Sequence, residues 1–123
     1  MFEGEHHAQI DRAGRLELPA AFTEEATKAP GAAMLWLFDG AGVSGTEIRC
    51  YSEEGYCHLD AGIGALKLEY RRALRRAMAR RGRTVAVKNG RVSLEAQWLE
   101  QLPEAPCSVR LRGQGGYFLI EVE

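Results

Sequence analysis

The pentapeptide Gly14-Arg15-Leu16-Glu17-Leu18 returns 76 residues later as Gly90-Arg91-Val92-Ser93-Leu94, with Ala20 then falling on Ala96 and Phe22 on Trp98. A spacing shared over nine positions marks one structural unit used twice. A Gly-Arg turn feeding an alternating strand is not a catalytic arrangement. It presents a charged arginine on a tight hairpin, so the functional question becomes what that arginine contacts.

The chain has 123 residues, enough for one domain or for two small halves sharing a core. Its longest apolar run, Gly31 to Phe38, falls far short of the ~20 residues of a membrane helix. The acidic start Met1-Phe2-Glu3-Gly4-Glu5 has no apolar signal stretch, so no secretion is expected. Cys50, Cys57 and Cys107 have neither disulfide nor zinc spacing, which suits a reducing cytoplasm. Charge is unevenly placed. Residues 65–91 hold ten of the sixteen Lys and Arg and one acid, Glu69, so this segment carries +9 and the remainder −10. Such asymmetry fits a surface for a polyanion or an acidic partner. It fits equally a segment that docks on the acidic remainder, within the chain or between subunits.

Periodicity predicts a mainly β, α+β chain with short helices. Ala8 to Ile10 reads as a strand, Asp11-Arg12-Ala13-Gly14 as a turn, and Leu16 and Leu18 as the buried face of the returning strand. Pro19 opens a helix over Ala20 to Lys28, broken by Ala29-Pro30-Gly31. Met34 to Phe38 reads as a buried strand, residues 39–45 as a glycine loop, and Ile48 to Tyr51 as a strand. Ser52 is the expected N-cap of a short helix reaching Leu59. Ala65 to Arg81 is the longest helical signal, capped by Asp60 and ended by Gly82, with Leu66, Tyr70, Ala73, Leu74, Ala77 and Met78 as its apolar stripe. The second half repeats the pattern: strand Thr84 to Val87, turn, strand Val92 to Leu94, helix Ala96 to Leu102, strand Ser108 to Arg112, glycine loop, strand Tyr117 to Val122.

Three stretches resemble the MraZ family, bacterial proteins of the SpoVT/AbrB-type DNA-binding fold. They are Met1-Phe2-Glu3-Gly4 with Ile10 to Pro19, then Ile48 to Tyr56 (with Tyr56 where a Trp is usual), then Tyr70 to Arg81 with Val87 to Leu94. The resemblance implies two AbrB-like swapped-hairpin repeats, residues 1–60 and 83–123, joined by a basic connecting helix, 61–82, and interlocked as a double-split β-barrel. It also implies a homo-oligomeric ring acting as a transcriptional regulator of the cell-division and cell-wall gene cluster. Its partner would be double-stranded DNA at short promoter repeats, and its location the cytoplasm, at the nucleoid. The chain departs from the family pattern at Ala13, where a lysine is usual, at Val87 and Glu95, where the second motif should carry Asp and Pro, and at Glu123, which follows the last strand without a further helix.

Candidate DNA-contact residues are Arg15, Arg12, Gly14 and Asp11. A guanidinium on a hairpin tip can reach phosphates or a guanine edge, or it can pair with Asp11 across the turn. Arg91, Lys88, Arg71, Arg72, Arg75 and Arg76 are candidates for secondary DNA contact or for contact between subunits, although a charge run on a helix is by default a solvated face. With Val87 aligned on Asp11, the first hairpin is expected to dominate binding and Arg91 to add little. Gly40-Ala41-Gly42-Val43-Ser44-Gly45 spells a dinucleotide-type glycine pattern, but a strand-like segment follows where that reading needs a helix. A hairpin loop accounts for it better. His6 and His7 are adjacent and point to opposite strand faces, and Cys57-His58 are sequence neighbours. No cofactor, metal, membrane or small-molecule substrate is expected, and no catalysis. The competing reading is a ring-forming assembly protein of this fold that has lost DNA binding.

Overall fold

The computed structural model describes residues 1–28, 34–39, 48–100 and 102–123. The chain is mainly β. In order, it forms β1 (Glu5–Ile10), β2 (Arg15–Glu17), α1 (Ala20–Ala26), β3 (Met34–Asp39), β4 (Ile48–Tyr51), α2 (Glu53–Gly64), α3 (Leu68–Arg81), β5 (Arg83–Lys88), β6 (Arg91–Ser93), α4 (Ala96–Leu99), β7 (Cys107–Gly113) and β8 (Tyr117–Val122). All pairings are antiparallel and close into a barrel ordered β1-β2-β6-β5-β3-β4-β8-β7. Hairpins of the first half therefore alternate with hairpins of the second. Neither half has a sheet of its own.

The repeat accounts for the centre of this arrangement, because the two copies of the motif pair with each other. Leu16 faces its counterpart Val92, Arg15 faces Ser93 and Glu17 faces Arg91. The Leu94 N–H donates to the Gly14 carbonyl at 2.9 Å, and the Leu18 N–H donates to the Gly90 carbonyl at 2.8 Å. Exchanging each residue for its copy reproduces the same bonds, as a local twofold axis passing between Leu16 and Val92 requires. The alternation of both strands turns Leu16, Leu18, Val92 and Leu94 into the core and leaves Arg15, Glu17, Arg91 and Ser93 on the outer face. The helices obey the same relation. α1 buries Phe22 and α4 buries Trp98, each about 1% exposed. Phe22 also packs against Phe2 and Phe118, at ring-centroid distances of 5.1 and 4.9 Å.

Several boundaries differ from those read in the sequence. β1 begins at Glu5 rather than Ala8, because it pairs along its whole length with β7, from Glu5 opposite Arg112 to Ile10 opposite Cys107. α1 stops at Ala26, and α4 covers only Ala96–Leu99. Ser52 does cap α2, its hydroxyl accepting from the Gly55 N–H at 3.1 Å, but that helix runs past Leu59 to Gly64. The expected connecting helix, 61–82, is thus two helices. Asp60 lies inside α2 instead of capping α3, whose N-cap is Lys67 with no side-chain bond. Gly82 ends α3 in extended backbone (φ −85°) and not as a left-handed cap. The expected apolar stripe of α3 does not enter the core: Leu66, Tyr70 and Leu74 are exposed, as is Leu68 beside them. The 29–31 break and the glycine pattern at 40–45 lie outside the described residues. Among the described residues, no helix is long and apolar enough to cross a membrane, which says nothing of strands.

Candidate nucleic-acid interface

The two Gly-Arg turns sit at opposite ends of the β2–β6 pair, and they are built differently. In the first, Ile10 faces Leu16. The Gly14 N–H donates to the Asp11 carbonyl at 2.9 Å, and the Asp11 N–H donates to the Arg15 carbonyl at 3.0 Å. This is a three-residue loop whose last position, Gly14, takes φ +79°, a conformation that glycine adopts without steric cost. Gly14 is buried, and a Cβ there would lie 2.8 Å from Leu99 Cδ1 of α4. The turn and its packing against α4 thus require glycine at this position.

In the second turn, Val87 faces Val92 and Lys88 faces Arg91. Only Asn89 and Gly90 lie between them, at φ 53° and 73°, as a two-residue type I′ hairpin requires. This turn is one residue shorter. Val87 consequently occupies the place of Ile10, both buried, and not that of Asp11. The structural counterpart of Asp11, directly across from the motif arginine, is Lys88. The sequence alignment of Val87 on Asp11 is corrected accordingly.

This difference reverses the local electrostatics. Asp11 Oδ1 accepts the N–H groups of Ala13 and Arg15, each at 2.9 Å, and its Oδ2 accepts Arg15 Nε at 3.0 Å. The Arg15 backbone N–H is the chief influence holding the Asp11 carboxyl below its ordinary range. The Arg15 side chain assists, while desolvation opposes it. Arg15 is thus clamped within its own hairpin. Lys88 and Arg91 have no such partner: among the described residues, neither forms an ion pair.

The outer face of β5 and β6 forms a groove of about 550 Å³, lined by Arg15, Val85, Ala86, Lys88, Asn89, Arg91, Ser93 and Glu95. Three of the sequence-predicted residues, Arg15, Lys88 and Arg91, therefore meet in one place. Glu95, the acid of the groove, lies 3.7 Å from Arg83. Arg12 is exposed at the tip of the first turn. The helix arginines lie elsewhere, and none of Arg71, Arg72, Arg75 or Arg76 lines this groove. Arg71 donates to the Gly64 carbonyl at 3.3 Å, and Arg75 pairs with Asp60 at 3.4 Å, so these two tie α3 to α2. Asn89 and Ser93 are groove residues that sequence reasoning missed. The sequence carried no signal for them, because the groove is built by the non-local pairing of the two motif copies.

Other polar groups have local partners. His6 packs edge-on against Phe22 at 4.9 Å, and His7 pairs with Glu123. Glu121 is bracketed by Arg110 at 2.6 Å and Arg112 at 2.5 Å. Cys50, Cys57 and Cys107 are free thiols, and burial pushes the pKa of the Cys50 thiol far above its usual range. Among the described residues, no three His, Cys, Asp or Glu cluster as metal ligands. No family model matches the chain, and no curated protein matches it significantly.

Proposed function

We propose that the chain is a DNA-binding transcriptional regulator of the MraZ type, with two swapped-hairpin repeats interlocked as a double-split barrel, acting as a homo-oligomeric ring on short promoter repeats. The observation that carries this reading is the convergence of Arg15, Lys88 and Arg91 on one outward groove formed by two interlocked Gly-Arg hairpins. A groove whose lining carries three cations and one acid, Glu95, suits phosphate better than a neutral ligand. Each subunit would bind weakly, and a ring would gain affinity by engaging several repeats at once. The exposed Leu68, Tyr70 and Leu74 of α3 support self-assembly, and taken alone they also favour the assembly-protein reading.

A salt titration of duplex binding decides between the two. Fluorescence anisotropy with a duplex carrying short direct repeats should give an affinity that falls steeply as salt rises, because phosphate neutralisation releases counterions. No binding at low salt, with the assembly intact, leaves the assembly reading.

A further inference from the structure

We propose that the second hairpin, rather than the signature hairpin of the first repeat, holds the principal phosphate-binding site: Lys88 and Arg91 grip the phosphodiester backbone of duplex DNA, with Arg15 as the third wall of the groove. This rests on the DNA-binding reading above and names the part of the groove that does the binding.

Matched positions in the two hairpins carry opposite electrostatics. Asp11 stands across from Arg15 as an ion pair at 3.0 Å, whereas Lys88 stands across from Arg91 as two like charges in register. Like charges directly opposite each other destabilise an antiparallel pair, and among the described residues no ion pair offsets this one. Glu95 lies toward Arg83 at 3.7 Å. Glu17 faces Arg91 across β2–β6 without reaching ion-pair distance. The tight turn holds both cations at the mouth of a groove of about 550 Å³. An entering anion is attracted by both charges and relieves their mutual repulsion. Arg15 is held by its Nε, which orients the guanidinium, and its Nη nitrogens make no hydrogen bond among the described residues. Duplex DNA presents one negative charge per ~1.7 Å of axis, a density that the scattered acids of a second copy of this chain do not match.

Lys88→Glu tests the proposal, because it gives the second hairpin the opposite-charge pair that the first already has. Its expected signature is a higher Tm together with weaker duplex binding. Arg91→Ala should weaken binding more than Arg15→Ala does, and should make the slope of log affinity against log salt shallower by about 1 for each engaged hairpin. The proposal is overturned if Lys88→Glu and Arg91→Ala bind duplex like the wild type, or if Arg15→Ala costs more than Arg91→Ala. It is also overturned if Lys88→Glu lowers the mass seen by light scattering while duplex affinity is unchanged, which would make the groove a subunit contact. Inorganic tripolyphosphate separates the site from the DNA reading. If the wild type binds no duplex but its Tm rises with tripolyphosphate, and that of Lys88→Glu does not, the anion site stands and DNA is the wrong ligand. If tripolyphosphate leaves the wild type unchanged as well, both fall.

Discussion

Asp11 holds the first turn with its side chain. One carboxylate satisfies two backbone N–H groups and fixes the motif arginine. The pKa of its carboxyl in the folded state is lowered from the ordinary 3.8. The contribution to stability is therefore complete above that ordinary value and is lost as pH falls through the lowered one. Asp11→Asn should lower Tm at neutral pH, and the gap to wild type should close in acid; melting curves across a pH series measure this. A gap that persists unchanged at the acid end would mean that the carboxylate charge is not what holds the turn. The Asp11–Arg15 pair was legible in the sequence as one of two readings, because the residues are four apart on a turn. The Lys88–Arg91 pair was not, because a constant 76-residue offset cannot register a deletion inside a turn. The buried pairs Ala8 and Ile10 against Val85 and Val87 differ by 77, and that extra residue is the trace the deletion left.

Among the elements, α1 and α4 are short and gain their order from the aromatic each one buries. Trp98→Ala removes a side chain that is about 1% exposed. It should cost roughly 3–5 kcal/mol, seen as a large drop in Tm or denaturation midpoint. A loss below about 1 kcal/mol would show that α4 is dispensable to the core. α3 is the contrary case. Its apolar periodicity identifies a face and not what covers it. Leu68, Tyr70 and Leu74 are open to solvent within one chain, while the Arg75–Asp60 ion pair and the Arg71 hydrogen bond to the Gly64 carbonyl tether the helix to α2. Leu74→Glu should reduce the mass measured by light scattering without altering the thermal melt of the isolated subunit. An unchanged mass would remove α3 from the assembly surface.

At the scale of the molecule, the strands were legible from two-residue alternation but their partners were not. Every link between the halves, β1 with β7, β2 with β6, β3 with β5 and β4 with β8, joins segments far apart in sequence, and local pattern carries no information about such pairs. Only the resemblance supplied an expectation of interlocking. The interlocking predicts that the chain divided between α2 and α3, within residues 65–67, yields two fragments that are unfolded apart and folded together. Circular dichroism of each fragment and of the mixture tests this. A cooperative melt from either fragment alone would contradict the mutual dependence of the halves.

The same strand order also sets a timetable for synthesis. A first half that leaves the ribosome holds two hairpins whose neighbours in the barrel have not yet been made. At the usual ~5–20 residues per second, the remaining sixty or so residues take roughly 3–12 s to appear. Through that interval the apolar faces of β1 to β4 and the open edges of both hairpins have no permanent cover, a state in which unpaired strands seek foreign partners. Two nascent first halves on one polysome carry the same twofold motif that later pairs Leu16 with Val92. The first partner each half meets can thus be the wrong copy. Whether the chain finishes as one barrel or as two chains entangled depends on how the pace of elongation compares with the rate of that encounter.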